Sequence, residues 1–372
     1  MPSSAAIQTQ IDVDSSWATV DVYGDPDGPA IVVLPGVMAD AEGWAPVAQQ
    51  LEGWQTVAVI DRRGRHPSGP MTDAYDLQTG VRDAETVLRE FSDVRTLFGW
   101  SYGALISLHL AHTVEIPQLI AYEPIMAPFG ASALPDLKSA HADGDLDRTV
   151  EVALGQVAGM PGTVIESLRG DSAIWAGMRA VSSPLYTETQ SLNDAPEPDE
   201  LARKAARIDL IVGGRNRGQA PYGTTFDDVA RRTPRGAVHE LAGQAHLAHL
   251  EAPERLAALV DDLRVTTAGP GSASGDTRDP SIRTRTVRTC SFSRASRGSL
   301  AECSRRVPCG DPLPGRSCDR CAEVTHRHEL AARRRSEQSA AARSAPARRL
   351  ASPRSAAARA VGRAGSPRPG VR

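Results

Sequence analysis

Two short runs constrain this chain more than anything else in it. Ala30-Ile31-Val32-Val33-Leu34 and Thr56-Val57-Ala58-Val59-Ile60 are apolar or β-branched at every position. A strand with one face in water alternates between polar and apolar residues. A run without alternation needs cover on both faces, as strands of a parallel sheet have. Each run stops at turn-forming residues, Pro35-Gly36 and Asp61-Arg62-Arg63-Gly64. Further strands are expected at Arg95–Phe98, Leu119–Glu123, Ile208–Val212 and Ala237–Leu241.

Helical patterns separate these runs. Leu77, Val81, Ala84, Val87, Leu88 and Phe91 fall on one stripe at helical spacing. Residues 103–112 are apolar almost all round, as in a helix buried against a sheet. A last helix is expected from Pro253 to about Leu263, with Pro at a helix start where its missing N–H costs nothing. Strand, helix and strand in repetition require crossover connections. The expected fold is α/β, a mostly parallel, doubly wound sheet. Trp17–Tyr23 alternates and is expected as an antiparallel edge strand.

Residues 126–199 break the rhythm with helical patterns and no convincing strand. They are expected as a small helical cap over the carboxyl ends of the strands, where open α/β sheets bind ligands. Trp100, Met160, Trp175, Met178 and Tyr186 are its candidate pocket residues. The alternative for each cap residue is that it only packs the cap onto the body.

The chemistry centres on Gly99-Trp100-Ser101-Tyr102-Gly103, a G-x-S-x-G between an apolar strand and an apolar helix. A sharp turn in that setting presents the Ser oxygen at the strand end and leaves N–H groups at the helix start. Ser is a poor nucleophile unless a His takes its proton.

With these landmarks the chain, over about residues 17–265, resembles the α/β-hydrolase fold superfamily. Leu34-Pro35-Gly36-Val37 resembles the family's oxyanion loop, with Pro35 where His is common. Asp61-Arg62-Arg63-Gly64-Arg65 resembles its D-x-R-G loop. Gly243-Gln244-Ala245-His246 with His249 and Pro253 resembles its catalytic-His loop. The resemblance implies Ser101 as nucleophile, His246 as general base and the N–H groups of Val37 and Tyr102 as oxyanion hole, with His249 in a packing role. The family's acid follows the strand Ile208–Val212, where this chain has Asn216. An amide cannot stabilise an imidazolium by charge. Some members take the acid from the end of the preceding strand, and Glu123 stands there. Glu123 is the expected acid, with Asn216 as the alternative position.

The implied activity is a serine hydrolase cleaving a carboxylic ester, thioester, lactone or related acyl bond through an acyl-enzyme, with a small-molecule acyl substrate and no cofactor. Two alternatives stay open: a ligand-binding protein without catalysis, which Asn216 keeps in play, and a cofactor-free haloperoxidase or perhydrolase. An Asp-nucleophile dehalogenase or epoxide hydrolase is disfavoured by Ser101.

Charge divides the 372 residues in two. Residues 266–372 hold 22 of the 42 basic residues, all Arg, and 8 of the 45 acidic ones, so they carry +14 and the first 265 residues carry -17. An acidic body repels phosphate, and the Arg-rich tail has almost no aromatics for stacking on bases, so a nucleic-acid partner is disfavoured. All five Cys lie in the tail. Cys318-Asp319-Arg320-Cys321 is only half a zinc site, because Cys303 and Cys309 are spaced too widely to complete it. No metal is expected. The tail, residues 266–372, is too poor in apolar residues to offset chain entropy, so disorder is expected, and its Arg, Ala, Pro, Ser and Gly bias without Lys also fits an out-of-frame reading of a GC-rich gene. With no signal peptide and no apolar run of membrane-spanning length, a cytoplasmic protein with no membrane partner is expected. The oligomeric state is left open.

Overall fold

A computed structural model describes residues 6–72 and 74–265. The readings for residues 266–372 (disorder, zinc, an Arg-rich surface) lie outside the described residues.

The first two strands are β1 (Ile7–Val13) and β2 (Ser16–Gly24), followed by β3 (Ala30–Leu34), β4 (Thr56–Asp61) and β5 (Val94–Trp100). β6 (Ile116–Tyr122), β7 (Ala205–Gly213) and β8 (Ala237–Leu241) complete one eight-stranded sheet, in the order β1-β2-β4-β3-β5-β6-β7-β8. β1 and β2 run antiparallel to their neighbours, and every pair from β4 to β8 is parallel. The α/β, mostly parallel sheet is as expected. One correction concerns its edge. Trp17–Tyr23 lies inside the sheet, because β1 pairs outside it. β1 carries exposed Gln8, Thr9 and Gln10, so it has no unbroken apolar run to announce it.

Successive residues of β3 feed opposite faces. Val32 and Leu34 join a core under α2 (Leu77–Arg89) and α3 (Tyr102–Thr113), with Phe226 and Val229 of α9 (Tyr222–Arg231). Ile31 and Val33 join a second core under α1 (Ala41–Ala48) and α11 (Pro253–Leu263). Each such side chain is worth about 1.5–3 kcal/mol on burial, so this double cover holds the sheet. Asp40 caps α1 by accepting from the Gly43 N–H at 2.9 Å. Asp76 and Thr79 form a capping box at the start of α2.

Helices α4 (Leu134–Asp143), α5 (Leu146–Val152), α6 (Gly162–Gly170), α7 (Ser172–Ser182) and α8 (Leu185–Asn193) fill the interval expected as a cap. Ala153–Val157 continues α5 as a π-helical turn. A short α10 (Ala248–Glu251) precedes α11. Among the described residues no helix is long and apolar enough to cross a membrane.

Candidate active site

β5 and α3 meet at Ser101. Its backbone holds φ 57° and ψ -121°, a conformation L-residues avoid at a cost of about 1–3 kcal/mol. The surroundings enforce it. The Ser101 N–H donates to the Tyr122 carbonyl at 3.0 Å, and the Leu105 N–H donates to the Ser101 carbonyl at 3.2 Å. Glycines let the chains meet there. A Cβ on Gly103 would lie 2.1 Å from the Leu34 carbonyl oxygen, and one on Gly36 would lie 2.7 Å from the Ser101 Cβ.

β6 ends one residue before Glu123, which has φ 41° and donates its N–H to the Ile211 carbonyl at 2.9 Å. This turn aims the Glu123 carboxylate across the end of β7. Oε2 accepts from His246 Nδ1 at 2.7 Å, and Oε1 accepts from the Gly213 N–H at 2.8 Å. Asn216 Nδ2 donates to Oε1 at 3.0 Å and to Oε2 at 2.9 Å. The two positions weighed from the sequence are therefore bonded to each other. Glu123 is wholly buried, and its carboxylate is satisfied by these N–H donors. Because His246 Nδ1 carries the donated proton, Nε2 is left as the basic nitrogen.

Aromatic rings fix the imidazole. Tyr222 stacks on His246 at 3.7 Å between ring centroids, and Trp100 lies tilted against it at 4.7 Å. Trp100 Nε1 donates to the His246 carbonyl at 2.9 Å, and the Tyr122 hydroxyl donates to the Ala245 carbonyl. His249 stacks on Trp44 at 4.7 Å and is buried. Burial first, and then His246, pushes its pKa down to about 3, so it stays neutral.

Ser101, His246 and Val37 line one cavity of about 650 Å³ beneath the cap. Tyr102 opens α3, so its N–H belongs to the first turn, which lacks intrahelical acceptors. Its side chain is turned into the core, where its hydroxyl lies 3.5 Å from that of Tyr75. Trp100, Met160 and Met178 line the cavity, joined by Leu154, Val157 and Leu185. Two candidates lie elsewhere. Trp175 packs inside the cap with Val150 and Leu154, and its Nε1 donates to Asp147 at 2.6 Å. Tyr186 lines a separate groove with His141 and Tyr75. Among the described residues no Lys or Arg lines the main cavity, and the carboxylates on it are Asp40, Glu42 and Glu251. Among the described residues no group of three or more His, Cys, Asp or Glu side chains is placed to hold a metal ion.

Two groups at the site were not singled out from the sequence. Tyr222 follows Pro221 with no local pattern to mark it as a ring stacked on the imidazole. Glu188 reads as an ordinary polar position of a cap helix. Only its contacts, with Arg62 and Arg65 of the distant D-x-R-G loop, set it apart.

A mostly parallel sheet with a strained Ser between strand and helix, and a His on the loop before the last helices, defines a class of protein. The chain belongs to the alpha/beta hydrolase family, whose model matches residues 31–259. It is similar to the uncharacterized hydrolase YraK of Bacillus subtilis, 34% identical over 104 residues, which are 27% of this chain and 38% of that protein. It is also similar to the pimeloyl-[acyl-carrier protein] methyl ester esterase of Pseudoalteromonas atlantica, 34% identical over 96 residues, 25% of this chain and 36% of that protein. The chain thus spans well under half the length of these curated relatives. The crystal structure of an alpha/beta hydrolase from Sphaerobacter thermophilus superposes with a TM-score of 0.58 at 23% identity, covering 68% of this chain and 99% of that one. That likeness concerns the fold.

Proposed function

We propose that the protein is a serine hydrolase that cleaves an ester, thioester or lactone with an uncharged, apolar acyl group. The observation that carries this reading is the 2.7 Å bond between Glu123 Oε2 and His246 Nδ1, with His246 and the strained Ser101 on one cavity wall. Glu123 holds the imidazole in the tautomer with a free Nε2 and favours the imidazolium by its charge. His246 takes the Ser101 proton as the oxygen attacks the acyl carbonyl. The N–H groups of Val37 and Tyr102 meet the charge that develops on the carbonyl oxygen. Each such donor is worth about 3 kcal/mol of transition-state stabilisation. His246 returns the proton to the leaving group, then activates a water that releases the acid and frees Ser101. These steps draw only on side chains, main-chain N–H groups and water.

The substrate class follows from the lining. A Met- and Leu-rich wall favours apolar acyl chains. Without Lys or Arg among the described residues of that wall, a substrate carboxylate or phosphate there would be desolvated with no counter-charge from them. The bonds from Asn216 to Glu123 also weigh against a ligand-binding protein without catalysis, because Glu123 can supply the charge that an amide lacks.

A fluorophosphonate probe tests the reading. It should label the wild type and leave Ser101→Ala unlabelled, and equal labelling of the two would overturn it. A panel of chromogenic esters should show neutral medium-chain acyl groups hydrolysed well ahead of carboxylate-bearing ones of the same length.

A further inference from the structure

Three charged side chains lie buried behind the oxyanion loop. Arg62 is 7% exposed, Arg65 1% and Glu188 wholly buried. Arg62 and Arg65 follow β4, and Glu188 belongs to cap helix α8. Arg62 Nη1 donates to Glu188 Oε1, while Arg65 reaches Oε1 at 2.9 Å and Oε2 at 2.6 Å. Burial alone would raise the Glu188 carboxyl, but the two guanidinium groups outweigh it and hold it below its usual range. Desolvating three ions costs several kcal/mol each before pairing, and apolar replacements of such clusters are often neutral or stabilising. Fold stability is therefore a weak reason for this cluster.

The remaining donors of Arg62 supply a better one. Its Nε donates to the Pro35 carbonyl at 2.9 Å, and its Nη2 donates to the Gly36 carbonyl at 2.7 Å, an oxygen that Arg65 Nη2 reaches only at 3.5 Å. The Gly36 carbonyl and the Val37 N–H belong to one peptide plane, in which oxygen and hydrogen point in opposite directions. Holding the oxygen on Arg62 turns the Val37 N–H to the other side, and Val37 lines the cavity beside Ser101. A cation on the carbonyl also polarises the peptide and strengthens the N–H at its far end. The same guanidinium lies 5.1 Å over the ring of Tyr102, whose N–H is the second donor.

We propose that Arg62 is the positioning residue of the oxyanion hole, and that Glu188 makes the aim of the Val37 N–H depend on how cap helix α8 is seated. This rests on the serine-hydrolase reading for its kinetic consequence but not for its structural one. A cluster of two cations and one anion leaves one net positive charge behind the loop, the sign a developing oxyanion needs.

Arg62→Met and Arg62→Lys test it, Lys keeping the charge with fewer donors. A crystal structure of each reads the orientation of the peptide between Gly36 and Val37. Phosphonylation kinetics of Ser101 read the function. For Arg62→Met, the Gly36 carbonyl should leave its present direction, and the rate constant for Ser101 labelling should fall roughly 100-fold. Binding of the unreacted probe should change less than threefold, and Tm should fall, because Glu188 keeps only Arg65 and the Pro35 and Gly36 carbonyls lose their Arg62 donors. Arg62→Lys should fall between that variant and the wild type. Should Arg62→Met fail to fold, Arg62→Lys carries the test. Glu188→Gln, which does not line the cavity, should lower the same labelling rate by a smaller factor. A folded Arg62 variant with the peptide unmoved and labelling within threefold of wild type overturns the proposal. If the wild type itself resists the probe, the hydrolase reading fails, and the peptide orientation still decides this one.

Discussion

Asn216 donates its side-chain amide to both carboxylate oxygens of Glu123, at 3.0 and 2.9 Å. The residue at the family's usual acid position thus bonds the proposed acid at the neighbouring strand end. Glu123→Gln should lower kcat by about 10⁴, the scale seen for an amide replacing the acid of a serine triad, with KM little changed. Asn216→Ala should lower it far less, because the bonds from His246 and Gly213 to Glu123 remain. The reverse ranking would refute the assignment.

Restoring the usual Asp should harm this protein. Asn216→Asp sets a second carboxylate against Glu123, and two such groups cannot both ionise at low cost. The pair would hold a proton to higher pH than either carboxyl alone. A carboxyl raised in the folded state stabilises below its unfolded pKa, and the gain is lost as pH rises through the folded value. Relative to wild type, Asn216→Asp should therefore lose Tm as pH rises out of the acid range, as scanning calorimetry would detect.

The cap separates packing from recognition. Trp175 spends its ring on Val150 and Leu154 and its N–H on Asp147, with Arg169 4.9 Å over its face. Trp175→Phe should lower stability by about 1–2 kcal/mol and leave the acyl-length profile unchanged. Met178 lines the cavity, so Met178→Trp should take up part of its 650 Å³. Medium-chain esters should then lose about tenfold in kcat/KM while acetate esters stay within threefold.

How far the sequence reached follows from how local each signal is. The strands at Ala30–Leu34 and Ala237–Leu241 were legible to the residue. The first is buried on both faces, and the second ends a short run bounded by Gly236 and Ala242-Gly243. β1 was not legible, because Gln8, Thr9 and Gln10 hide its alternation. Helices α1 and α9 escaped too. α1 carries Gly43 and Pro46 within eight residues, and α9 follows a loop of Gly, Asn and Arg. The elbow could be read because strand, motif and helix are contiguous. The choice between Glu123 and Asn216 could not be closed, since their bond joins residues 93 apart. Arg62 and Glu188 are 126 residues apart, and neither carries a mark of the other. Trp175 and Tyr186 are aromatic cap residues like any pocket candidate. Only helix rotation turns them away from the cavity.

Three buried groups contribute to the acid response. Burial, aided by neighbouring His112, pushes His109 down to about 4, and burial with His246 pushes His249 down to about 3. Burial, with Asp40 and Asp21 adding to it, pushes Asp61 up to about 7 despite the bond from the Ala41 N–H. The signs oppose. Between pH 4 and 6.5 the unfolded chain binds a proton at each His that the folded chain does not, so stability rises with pH. Over the same interval folded Asp61 keeps a proton that the unfolded chain has lost, so its stabilisation falls with pH. Two protons outweigh one, and these groups together should raise stability by about 1.4 kcal/mol per pH unit there. Asp61→Asn keeps an acceptor for Ala41 and removes the opposing proton. Its Tm should climb more steeply than wild type from pH 4 to 6.5, and an unchanged slope would sink the assignment.

Ser101 carries the last prediction. Its φ of 57° and ψ of -121° lie in the mirror of the extended region, open to Gly and strained for Ser. Ser101→Gly should relieve about 1–3 kcal/mol of strain and lose about 0.5–1 kcal/mol through the freer unfolded chain. The net gain of about 1 kcal/mol corresponds to a Tm rise of about 2–4 °C for a body of this size. Ser101→Ala keeps the strain and should gain little. If Gly stabilises and Ala does not, the gain comes from the backbone and not from removing a buried hydroxyl. The elbow then holds its proposed nucleophile at the expense of stability. Equal Tm values for the two variants would place the strain elsewhere.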